Sequence, residues 1–74
     1  MPAISSAQCR AARALIRITQ DELAAKSGVS KRAIVDFEAE RSTPIKHNLA
    51  AIKGALEQGG VEFLPGQGVR LRAG

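Results

Sequence analysis

The sequence predicts a mainly α fold, four short helices around one core, followed by a short C-terminal β-hairpin or a pair of dimerising strands. Three observations carry this. Apolar residues recur at helical spacing in separate segments as far as Leu56, and caps and breakers bracket those segments. Beyond Gly60 the apolar period changes to two, the period of a strand. At 74 residues the chain is expected to be a single domain, 1–74, because a core divided in two would leave neither half enough to bury. With two Phe and no Trp or Tyr, aliphatic side chains must fill that core.

Ser5 and Ser6 are candidate N-caps for a first helix running to about Arg17. Its apolar stripe is Cys9, Ala12 and Ile16, with Leu15 at the edge, and Arg10, Arg13 and Arg17 occupy an adjoining face. Thr19 and Glu22 make a capping box for a second helix from about Gln20, with Leu23 and Ala24 inward. Gly28 supplies the positive φ that ends it. Ser30 caps a third helix with Ile34 and Phe37 inward and Ala33 beside them. Residues 40–45, "ERSTPI", form a loop, and Pro44 is expected in the first turn of a fourth helix striped by Leu49, Ile52 and Leu56. Gly59 and Gly60 stop it. Two strands follow, about 61–64 and 69–72, around the turn-forming "PGQG".

Composition removes several classes of function. Cys9 is the only cysteine and His47 the only histidine, which excludes an intrachain disulfide and a Cys/His zinc site. No metal and no cofactor are expected. No window approaches the roughly 18 apolar residues of a membrane span. The start lacks a basic region followed by an apolar run, so no signal peptide is read there, and the unpaired Cys fits a reducing compartment. The expected location is cytoplasmic. No Ser/His/Asp set, phosphate loop or carboxylate pair in a plausible cleft can be assembled, so the chain is not expected to be an enzyme. The balance of 11 Lys plus Arg against 7 Asp plus Glu, a formal net charge of +4, suits an anionic partner, with nucleic acid first.

The break inside "TQDELAAKSGVSKRAIVDFE" is the most informative feature. Two short helices joined by a tight Gly-containing turn make a helix-turn-helix, expected over 20–38. Ala24 must be small because the third helix crosses close to it, Gly28 must turn, and Val29 plugs the corner. With Ile34 and Phe37 buried, the free face of the third helix carries Lys31, Arg32, Val35 and Asp36, and a DNA major groove admits one helix.

With Gln20, Ala24, Gly28, Val29, Ile34 and Phe37 at these offsets, the stretch from about Arg10 to Leu56 resembles the Cro/repressor-like (XRE) helix-turn-helix family. The resemblance implies double-stranded DNA as partner, with base-reading by Lys31 and Arg32 and, one turn deeper, by Val35 and Asp36. It implies that Gln20 bonds a phosphate and braces the recognition helix. The full phosphate set is Gln20, Ser30, Arg41, Ser42, Thr43 and Lys46. It also implies a partly buried ion pair, Arg13 with Glu38. Two residues depart from the family pattern: Glu40 stands where Gly is usual, and Ile45 stands at the N-cap of the fourth helix.

Chemistry leaves two roles open at two of these positions. Val35 either meets a thymine methyl or is a spare apolar residue, and Asp36 either accepts from cytosine or orients Arg32 at i+4. Arg10 and Arg17 read as solvated charges, Cys9 as a small core residue and His47 as exposed. The expected function is a sequence-specific transcriptional regulator, a repressor or a recruiter of polymerase, acting as a homodimer on a palindromic operator. The dimer would use Val61, Phe63, Val69 and Leu71, with the strands paired within or between subunits. The alternative is a protein-interaction module on the same scaffold, an antitoxin or antiactivator, whose partner is a toxin or another regulator.

Overall fold

Ser5 is extended and caps the first helix: its Oγ accepts from the Gln8 N–H while the Gln8 side chain accepts from the Ser5 N–H. This computed structural model describes residues 4–72, so residues 1–3 and 73–74 of the expected domain lie outside the described residues. Helix α1 is Ser6–Ile16. It stops one residue short of the expected end because Arg17 turns left-handed (φ 58°), which lets the Ile18 N–H close back on the Arg13 carbonyl at 3.1 Å. The Thr19–Glu22 capping box starts α2, Gln20–Ser27, and Gly28 (φ 74°) ends it as expected. Ser30 caps α3, Lys31–Glu38, through the Ala33 N–H.

The exit from α3 repeats the device that ends α1. Glu40 sits at φ 62°, and the Arg41 N–H returns to the Asp36 carbonyl at 2.8 Å. Helix α4 is Lys46–Gln58, with Ile45 as an N-cap that offers no side-chain acceptor. Pro44 therefore precedes the cap instead of standing in the first turn. A proline disfavours helical geometry in the residue before it, so α4 cannot readily extend back through Thr43. Gly60 (φ 105°) turns the chain into β1, Val61–Phe63, which pairs antiparallel with β2, Val69–Leu71.

The core lies where the four helices and β1 converge. Cys9, Leu23, Ile34, Ile52, Leu56 and Val61 are its largest fully buried side chains. Val29 plugs the α2–α3 corner, and Leu15 stays at the exposed margin. The hairpin packs on α1 and α4. Gln8, a buried amide, donates to the carbonyls of Leu64 (3.3 Å) and Gly68 (3.0 Å) and so fixes the hairpin turn to the start of α1. At the other end Gly59 abuts the Ile16 side chain, and the Arg72 N–H bonds the Gly60 carbonyl. Strand β2 therefore runs beside α1 in the same direction.

Of the four apolar residues of the strands, Val61 is fully buried in the chain's own core. Phe63 and Val69 are half-buried against the same core, and Leu71, 54 % exposed, is the most open of the four. The two strands pair within the chain.

Candidate nucleic-acid interface

The site is built on α3, whose two faces have opposite fates. Ile34 and Phe37 are buried, while Lys31 and Arg32 are exposed and Val35 and Asp36 are half-buried on the outer face. The turn at Gly28–Ser30 sets the angle at which that outer face leaves the body. The following loop brings Arg41, Ser42 and Thr43 up beside it, all exposed, and Lys46 opens α4 beyond them.

What holds α3 in place is a polar cluster around Glu38, whose side chain is 4 % exposed. Arg13 grips it with two parallel bonds, Nε to Oε2 at 2.7 Å and Nη2 to Oε1 at 2.8 Å. Gln20 Nε2 donates to Oε1 at 2.9 Å, and Cys9 Sγ donates to Oε2 at 3.1 Å. A carboxylate at a helix C-terminus faces the negative end of the dipole, which makes these donors necessary. Burial on its own pushes the Glu38 carboxyl up, but the bonds from Arg13, Cys9 and Gln20 together hold it below the usual carboxylate range. The same bond to Glu38 raises Arg13, and burial followed by Glu38 pushes the Cys9 thiol far up. Cys9 is a hydrogen-bonded core thiol with no thiolate character.

Among the cations of the outer face, three have carboxylate partners. Lys31 Nζ lies 3.2 Å from Asp21 of α2, and Arg32 Nε lies 3.3 Å from Asp36. Arg41 bonds the other Asp36 oxygen through Nε (3.2 Å) and Nη2 (3.1 Å). Gln20 is turned toward Glu38 at the far end of α3 and does not join Lys31 and Arg32. The Ser30 Oγ is occupied in capping α3.

Three participants went unread in the sequence. Arg10, expected in solvent, donates to the Glu38 carbonyl, satisfying an end of α3, and its guanidinium lies 3.9 Å from Glu40. Its i, i+3 spacing with Arg13 was the available signal, since both then face the same helix end. Cys9 was read as apolar only. Asp21 gave no signal, because its pairing with Lys31 depends on the angle between α2 and α3.

Among the described residues no group of His, Cys, Asp and Glu could hold a metal ion, and no helix is long and apolar enough to cross a membrane. No curated protein matches the chain significantly. A family model for the helix-turn-helix matches residues 10–57, from within α1 to the last turn of α4 and most of the chain. With that match, the buried inner and open outer faces of α3 have their explanation, and the chain belongs to the Cro/repressor-like, XRE-type helix-turn-helix family of DNA-binding regulators.

Proposed function

We propose that the protein is a sequence-specific transcriptional regulator that inserts α3 into a DNA major groove and acts as a homodimer on a palindromic operator. One observation carries the reading. The outer face of α3 offers Lys31, Arg32 and Val35 to solvent while Glu38, gripped by Arg13 and Gln20, fixes the end of the same helix. A rigid helix with donors at its exposed N-terminal turn is the geometry that base-edge reading needs. Lys31 and Arg32 then meet bases. Gln20, Ser30, Arg41, Ser42, Thr43 and Lys46 meet phosphates.

Size supports dimerisation. The longest extent of the molecule is 32 Å, close to the roughly 34 Å between successive half-sites, so one copy serves one passage of the groove. A two-stranded hairpin with an open edge at β2 and Leu71 beside it offers a surface for the second copy.

Selection of bound duplexes from a random pool, repeated at two salt concentrations, tests the function. We expect a palindromic consensus. Against it, Lys31→Ala and Arg32→Ala should each weaken binding by about 1–3 kcal/mol and relax one position. Gln20→Ala should weaken all duplexes evenly, because phosphates carry no sequence information. Unselective binding by the unmodified protein would refute the regulator reading.

A further inference from the structure

We propose that Asp36 is a positioning residue that aims Arg32 at a base and Arg41 at a phosphate, and is not itself a base reader. The proposal rests on α3 being the DNA-reading helix. It goes beyond that reading by assigning the specificity of Arg32 to a carboxylate that never touches DNA.

The geometry separates the two arginines. Asp36 Oδ2 accepts from Arg32 Nε alone, at 3.3 Å. Among the described residues the two terminal nitrogens of Arg32 have no internal partner, and they form the fork that matches guanine O6 and N7. Asp36 Oδ1 accepts from Arg41 through Nε at 3.2 Å and Nη2 at 3.1 Å. That side-on grip takes up the Nε–Nη2 edge of the guanidinium and leaves three N–H groups, two on Nη1 and one on Nη2, for a phosphate. One carboxylate thus holds the two arginines differently, Arg32 at a single nitrogen and Arg41 along a whole edge.

Position supports the same division. The Asp36 side chain is only 22 % exposed, whereas Arg32 is 87 % exposed. A long arginine in solvent samples many rotamers, and a fixed acceptor at its Nε restricts them before DNA arrives. Asp36 is anchored for this task at both ends. Its carbonyl accepts from the Arg41 N–H at 2.8 Å and the Ser42 N–H at 3.4 Å, so the loop carrying Arg41 is tied to the residue that holds its side chain. Both carboxylate oxygens already have cationic donors, and a cytosine amine would have to compete with them.

A second consequence is electrostatic. Asp36 cancels one of the two positive charges it holds. On DNA that offers no guanine to the Arg32 fork, the carboxylate subtracts from the phosphate attraction that drives unselective binding. It lowers affinity where the sequence is wrong more than where it is right.

The experiment compares unmodified protein, Asp36→Ala, Arg32→Ala and the double variant on the selected operator and a scrambled duplex, at several salt concentrations. Thermal melts confirm that each variant is folded. We expect Asp36→Ala to cut the operator-to-scrambled ratio by about tenfold, within the range for one bidentate base contact, partly through tighter binding to the scrambled duplex. The double variant should discriminate no worse than Arg32→Ala alone, and sites selected by Asp36→Ala should lose preference at a guanine. Loss confined to a cytosine, with the guanine preference intact, would mean that Asp36 reads DNA directly. Additive losses, or an unchanged ratio, would equally overturn the assignment. A ratio near one for the unmodified protein would instead overturn the DNA-reading function on which it rests.

Discussion

Glu38 is a buried carboxylate with three side-chain donors, and its energetics follow from that. Removing either member of the Arg13–Glu38 pair strands a charge, Glu38 being 4 % and Arg13 21 % exposed. We expect Arg13→Met or Glu38→Gln to cost about 3 kcal/mol in chemical denaturation, and the double change to a well-packed apolar pair to cost much less than their sum. A cycle with no coupling would exclude the pair as a support of the fold. The pH dependence has a definite sign. The Glu38 carboxyl is held low in the fold, so its contribution is complete above the unfolded carboxyl's value of about 4.3 and fades as pH falls through the folded one. Glu38→Gln should flatten the acid limb of stability in that window. Cys9, with its thiol pushed up by burial and by Glu38, should alkylate only as fast as the protein opens. Reaction with iodoacetamide at a rate independent of stability would contradict this. Period put Cys9 on the apolar stripe of the first helix, and the family resemblance paired Arg13 with Glu38. The sequence could not show that Cys9 and Arg10 converge on the same helix end, because that depends on the angle between α1 and α3.

At the scale of elements, the helix ends were the most legible features and their costs the least. Thr19, Glu22, Ser30 and Gly28 act locally, within one turn, so their types alone announce them. Gly28 has open space where a Cβ would stand, so Gly28→Ala meets only left-handed backbone strain, about 1–2 kcal/mol. Glu40 is the converse case, a non-glycine residue at φ 62°. Glu40→Gly should raise stability by about 0.5 kcal/mol, the relief of strain less the entropy of a freer unfolded chain, or a few degrees in a thermal melt. A lower melting temperature would show that its contact with Arg10 outweighs the strain. The Pro44 misplacement was a boundary error of two residues. The link from Asp36 to Arg41 was beyond the sequence, since it exists only because the loop folds back onto the Asp36 carbonyl.

For the whole molecule, the decisive surface is the β2 edge. Period two marked Val61, Phe63, Val69 and Leu71 as one apolar set, but period cannot say which of them the chain's own helices cover. Val61 belongs to the core, so deleting the hairpin would remove folding and association together. Leu71→Asp separates them. We expect it to leave the melting temperature nearly unchanged, abolish dimer mass in sedimentation, and reduce operator affinity steeply. An unaltered protein that sediments as a monomer at high micromolar concentration and still binds a palindrome tightly would refute dimerisation.

Gln8 has one further consequence, for the chain as it is made. Its amide is buried at the start of α1, yet the carbonyls it bonds belong to Leu64 and Gly68, 56 and 60 residues later. A ribosome synthesises the acceptors long after the donor, so α1 can form early but cannot seat its inner face until the hairpin turn has emerged. A nascent chain stalled before Gly68 would hold the α2–α3 pair with an unsatisfied amide where the first helix should dock. Such a product should be recognised by proteases as unfinished, and few incomplete copies would persist to compete for DNA.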